Sequence, residues 1–182
     1  YDGSVTLYSF DDKDPVLKAW NKAFGGKLVK PSSAIPDELQ RHLRYPEDQF
    51  KVQRELLTRY HVGNPGEFYG GVSFWDVPTD PTVQSGAAGA AQPPYYVLAG
   101  PPGAADATQP TFQLTSALVF KNRDILSSYV SASSDPATYG KITVLQLPSD
   151  TQTLGPQQVQ SQFISSPTVS SNISLLSRGQ TA

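Results

Sequence analysis

Apolar positions along the chain switch between helical and extended spacing, and the switches predict the elements. Ser4 to Phe10 (SVTLYSF) alternates and is rich in β-formers, which predicts a strand. Asp14, Pro15 and the pair Gly25-Gly26 then frame a helix, as N-cap, first helical position and stop. Val16, Leu17, Trp20 and Phe24 share one face of it. A second short helix is predicted from Pro36 through Leu43.

The densest stretch is LRYPEDQFKVQRELLTRYHV, Leu43 to Val62. Pro46 restricts Tyr45 and suits a helix start. Steps of ~100° put Val52, Leu56, Tyr60, Leu57 and Phe50 in one stripe about 160° wide, the pattern of a helix lying on a core. Glu47/Lys51 and Glu55/Arg59 are i,i+4 pairs in the favourable order, and Glu47 and Asp48 sit where the helix dipole favours negative charge. Folding alone therefore accounts for the charge in this segment.

Beyond it, glycines and prolines break the pattern around Phe68, Tyr69, Phe74 and Trp75, predicting a helical turn after Asn64 and then an extended aromatic segment. Tyr95 to Gly100 reads as a strand inside an Ala/Gly/Pro-rich loop region at about 83–110. TFQLTSALVF, DILSSYVSAS and GKITVLQLP, separated by turn chemistry, predict an antiparallel meander. Pro156 and Ser166-Pro167 open two final helices, with Val159/Phe163 and Val169/Ile173/Leu176 as inward faces and Gly179 as the end. Segregated helices and strands give an α+β fold: a loop-rich antiparallel or mixed sheet with helices mainly on one face, in a single soluble domain spanning 1–182.

Composition narrows the function classes. Fourteen basic and sixteen acidic residues leave a net charge of −2, and residues 63–120 hold no Lys or Arg, so nothing argues for nucleic acid. Residues 1–62 carry ten basic and nine acidic residues, whereas 63–182 carry four and seven on an uncharged polar background. No cysteine supplies thiol chemistry, and no run of ~18 apolar residues predicts a membrane span. The chain opens on YDGSVTLY, without Met or a signal pattern, and reads as a slice of a longer polypeptide.

Candidate chemistry is sparse. His42 and His61 fall on different elements without ligand spacing, and His61 suits a helix C-terminus. Asp11, Asp12 and Asp14 lack the Gly and Glu of a calcium loop and suit capping better. Glu47 and Asp48 are helical neighbours splayed by about 100°, not a facing pair. No G-x-S-x-G, phosphate loop or H-E-x-x-H occurs. Tyr45, Tyr60, Tyr69, Phe74, Trp75, Tyr95 and Tyr96 have the composition of a stacking groove, though closing a loop-rich core uses the same residues.

IPDELQRHLRYPEDQFKVQRELLTRYHV, together with DDKDPVLKAW, FWDVPTDP, PPYYVL, YGKITVLQLPSDTQTLGPQQVQSQF and LLSRG, closely resembles uncharacterised protein family 0182, large polytopic membrane proteins common in actinobacteria. The resemblance runs from Tyr1 to about Gly179. It implies an extracytoplasmic region of a multi-pass cell-membrane protein, and it transfers no catalytic residue, metal or cofactor. The expectation is an interaction or assembly module of the cell envelope. Its partner is the remainder of the parent membrane protein or an envelope glycan, lipid or protein, with Arg44, Tyr45, Glu47, Asp48, Trp75 and Asp76 as interaction residues. The alternatives are an envelope glycan or lipid hydrolase, which needs at least two of Glu47, Asp48, Asp76 and His61 to converge in one pocket, and a ligand-receiving accessory of a transporter.

Overall fold

A computed structural model describes residues 2–9, 11–83, 89–100, 110–148, 150 and 152–179. The chain divides into two compact units, 1–43 and 44–182.

In the first unit, helix α1 spans Pro15–Ala23. The Asp14 carboxylate accepts the backbone N–H groups of Val16 and Leu17 at 2.7 and 3.1 Å, so this aspartate caps. Asp11 accepts from Lys13 N, and Asp12 accepts from the hydroxyls of Ser9 and Ser32; the acidic cluster is spent on turn geometry. The described part of the segment expected to be a strand, residues 4–9, forms none. Among its described residues only Tyr8 makes a bridge, parallel to Lys30. Val5 and Leu7 stay exposed, because alternation specifies a face and not a neighbouring strand to pair with. A 3-10 turn at Ser32–Ala34 precedes α2, Asp37–Gln40, which is shorter than the expected Pro36–Leu43.

The second unit holds α3 (Glu47–Tyr60), α4 (Pro65–Gly70), β1 (Trp75–Asp76), β2 (Tyr95–Ala99), β3 (Thr111–Phe120), β4 (Leu126–Ser133), β5 (Ile142–Gln146), α5 (Pro156–Ser165) and α6 (Pro167–Gly179). Asn64 caps α4 and Gly71 ends it with φ +63°, a left-handed conformation that suits glycine. The fold is α+β, and all strand pairings are antiparallel. β3, β4 and β5 form the expected meander. β1 and β2 pair with different stretches of β3, Val119–Phe120 and Thr111–Thr115. Residues 84–88 and 101–109 of the expected loop lie outside the described residues; β2 is the strand within it.

Strand alternation puts Leu114 and Leu118 of β3 on one face with Val130 and Ala132 of β4. Tyr45, Phe50 and Trp75 close over them, with Leu57, Val77, Phe120, Ile142 and Val144 at the margin. α3 is the helix that lies on this core.

Candidate interaction surface

α3 meets the sheet with a different row from the one its sequence advertises. Phe50, Arg54 and Thr58 are its buried residues. Leu57 packs against the core edge. Val52, Leu56 and Tyr60 are exposed by 59, 47 and 70%. At ~100° per residue the two rows lie about 160° apart. The expected stripe is therefore split: Phe50 and Leu57 face inward, and the other three face away from the sheet.

Arg54 explains the rotation. It is 5% exposed, and its Nη1 donates to the Gln92 carbonyl at 2.8 Å and to Ser116 Oγ, in the middle of β3, at 3.0 Å. Both acceptors are neutral. Burial pulls the guanidinium below its ordinary range, while Glu55 and Glu47 oppose that shift. A charge taken out of water requires fixed acceptors. Satisfying it sets the helix azimuth and turns the Val52 row outward. Nothing in the spacing singles out Arg54 from its neighbours; only the position of Ser116 opposite it does.

The exposed row continues beyond α3. The rings of Tyr60 and Phe68 lie 5.9 Å apart, and Phe68 meets Phe74 edge-on at 5.3 Å. Tyr69 and Val72 are also exposed. Val52, Leu56 and Tyr60 extend over about 12 Å of helix axis. Residues of both signs flank them: Lys51 bonds Glu47 at 2.7 Å, and Glu55 and Arg59 stand alongside. An apolar strip with a mixed-charge rim has the anatomy of a protein-docking surface.

The expected interaction residues do not form one patch. Tyr45 and Trp75 are both 3% exposed and belong to the core. Arg44 lies over the Phe112 ring, 4.0 Å from its centre, and its carbonyl accepts from Tyr139 OH. Glu47 and Asp48 both approach Lys51. Asp76 accepts from Asn122 N at 3.2 Å.

The acid–base set of the hydrolase reading does not assemble on α3. Glu47 and His61 stand at opposite ends of the helix, about 21 Å apart by its rise. His61 Nδ1 lies 2.6 Å from the Leu57 carbonyl oxygen and Nε2 lies 3.0 Å from that of Ser73, so the main chain occupies both nitrogens. The polar groove of about 250 Å³ at the end of the sheet is lined by Gln113, Ser131, Ser133, Asp135, Lys141 and Thr143, among others, and by none of the four candidates. His42 lies in the first unit, exposed. Among the described residues no group of three acidic or histidine side chains is placed to hold a metal ion.

The final helices also differ from expectation. Val159, Phe163, Ile173 and Leu176, read as inward faces, are exposed, and only Val169 is half-buried. Their helices contact each other, and the periodicity that predicts their apolar rows does not specify a surface to receive them. Among the described residues no helix is long and apolar enough to cross a membrane.

An antiparallel sheet carrying one anchored helix with an exposed apolar row defines an α+β module. Comparison with known proteins gives its family. Residues 1–176 match the uncharacterised protein family UPF0182, and the chain belongs to that family. It is 58% identical over 184 residues to a UPF0182 protein of Saccharopolyspora erythraea, a match covering 99% of this chain and 19% of that protein. It is 56% identical over 177 residues to one from Nocardia farcinica, covering 97% and 17%. A Mycobacterium tuberculosis relative is 56% identical over 178 residues, covering 98% and 18%. The chain thus spans less than a fifth of the length of these relatives. No solved structure matches it.

Proposed function

We propose that this chain is an extracytoplasmic interaction or assembly module of a multi-pass membrane protein of the cell envelope, with no catalysis of its own. Its α3 row docks onto the remainder of the parent polypeptide. One observation carries this reading: Val52, Leu56 and Tyr60 are exposed on a helix whose opposite side is already anchored through Phe50 and Arg54. A row left in water on a fixed helix offers apolar area at little further ordering cost. The length of the relatives supports a covering surface within the same polypeptide. The family resemblance implies the membrane-spanning helices elsewhere in it.

The test uses a full-length relative with a photo-crosslinking residue at the position matching Leu56, and a control at the position matching Ser161, exposed on α5. The expected products join the Leu56 site to peptides of the same polypeptide outside the region matched by this chain. Crosslinks no more frequent than at the control site, or only between isotopically distinguished copies, overturn the reading.

A further inference from the structure

The sheet has an open edge at β5. Its neighbour is β4, and among the described residues no strand lies on its other side. Leu147 N donates to Ser127 O at 2.9 Å, and Lys141 O accepts from Ser133 N at 3.0 Å. Antiparallel pairing alternates, so the odd-numbered residues of the strand spend their main-chain groups on β4. The N–H and C=O of Ile142, Val144 and Gln146 point the other way and meet no partner among the described residues. Edge strands are ordinarily guarded by charged side chains, proline or a bulge. Residues 142–147 contain neither a charge nor a proline. The register with β4 runs unbroken from Ser128↔Gln146 to Ala132↔Ile142. α3 lies on β1 and β3 rather than here.

What this edge leaves in water is the chemistry of a missing strand. Donors and acceptors at strand spacing are satisfied by another extended backbone, not by a helix or an apolar face. The sequence of the strand selects a second copy of itself. Laid antiparallel about Val144, it sets Val144 opposite Val144, Ile142 opposite Gln146 and Thr143 opposite Leu145. The residues with outward main-chain groups are then the ones that meet, and each facing pair can close two hydrogen bonds. The faces match as well, because opposed residues of an antiparallel pair project to the same side. Ile142 and Val144, packed at the margin of the core in each copy, continue one apolar face across the junction. Thr143 and Leu145 share the other face. Lys141 falls opposite Leu147, so no like charges are opposed. The contact is isologous and closes at two copies.

We infer that β5 is a self-association edge, through which two copies of this chain pair antiparallel over Ile142–Gln146 and join their sheets into one. The inference does not rest on what α3 binds.

Sedimentation velocity of the 182-residue chain, from micromolar concentration upward, is expected to show a reversible monomer–dimer equilibrium and nothing larger. Amide hydrogen exchange at the same concentrations should slow for Ile142, Val144 and Gln146 as the dimer forms. Thr143 and Leu145, whose amides face β4, should hardly change. Val144→Pro removes the central outward N–H, a group that the β4 pairing does not use, and is expected to weaken association at least about tenfold. Leu145 is 40% exposed. Leu145→Lys places like charges near each other across the junction and should weaken association too, most at low salt. Val52→Ser with Leu56→Ser should leave it unchanged. Unchanged melting temperatures verify folding; should Val144→Pro not fold, Leu145→Lys and the exchange pattern decide. A monomer at every concentration, or association undiminished in a folded β5 variant, overturns the inference. So does association lost with the Val52 and Leu56 pair, or growth beyond the dimer, as a β2–β5 contact would give. If the chain stays monomeric while the Leu56-site crosslinks form, the module reading survives and the dimer is lost. The converse result removes the α3 docking and keeps the dimer.

Discussion

The imidazole of His61 lies flat on the indole of Trp75, with ring centres 3.5 Å apart and planes 11° apart. Both nitrogens of the same ring reach main-chain carbonyls, those of Leu57 at the end of α3 and Ser73 just before β1. A neutral imidazole carries one N–H and serves one carbonyl, whereas the imidazolium serves both. His61 thus ties helix to sheet through a stacked face and two polar edges. His61→Phe retains the stacking and removes the hydrogen bonds. The expected loss is about 1–3 kcal/mol in urea denaturation. A change below about 0.5 kcal/mol would show that the ring acts by packing alone.

The two sides of α3 should respond to truncation very differently. Phe50 is fully buried and meets Tyr45 edge-on, at 6.3 Å and 82°. Phe50→Ala is expected to cost about 3–5 kcal/mol. Leu56→Ala, on the sequence pattern alone, would cost about 2–5 kcal/mol. With Leu56 half-exposed on the outer row, the expected cost in the isolated chain is below about 1 kcal/mol. Equal losses for the two variants in parallel denaturation curves would place Leu56 in a core and reverse the orientation of the helix.

Arg54 and Ser116 are expected to be coupled. Arg54→Met keeps part of the apolar stem and removes the buried charge, leaving Ser116 Oγ and the Gln92 carbonyl without that donor. Combined with Ser116→Ala in a double-mutant cycle, the interaction energy should be about 1–2 kcal/mol. Additive single effects would mean that the hydrogen bond does not set the seating of the helix.

The second unit should weaken at high pH through three phenols. Burial raises Tyr45 above the usual tyrosine range. Burial first, then the nearby Tyr45 and Tyr96, raises Tyr139; burial and then Glu47 raise Tyr96, with Arg44 opposing. Tyr139 OH donates to the Arg44 carbonyl at 3.0 Å and Tyr96 OH donates to that of Tyr45, bonds a phenolate cannot donate. In each case the folded state holds its proton more tightly than the unfolded chain. This contribution is complete below the unfolded value of about 10 and fades as pH climbs through the higher folded values. Stability measured by urea should fall steeply above about pH 10, and phenolate absorbance should show late-ionising tyrosines. Tyr139→Phe should flatten the fall; an unchanged slope would remove this residue from the linkage.

The elements of the second unit were legible because each depends on local chemistry. The Pro65 and Pro156 starts, the Asn64 cap and the turns between β3, β4 and β5 act within a few residues. α1 was legible for the same reason, through Asp14 and Pro15. The family too could be read from long motifs in the chain. Ser4–Phe10 was misread because a strand is completed by a partner, and among its described residues Tyr8 alone forms a bridge, to Lys30.

The sequence by itself determined where α1, α3, the final helices and the strands of the meander begin and end, and that α3 carries an apolar row, because capping, turn geometry and periodicity are short-range. Only the tertiary structure decided which side of α3 is inside. That choice required the sheet to bring the Gln92 carbonyl and Ser116 to Arg54, from 38 and 62 residues along the chain, and to build a core for Phe50. Desolvating a guanidinium demands those partners, so the polar requirement fixed the azimuth of the helix and left Val52, Leu56 and Tyr60 facing outward.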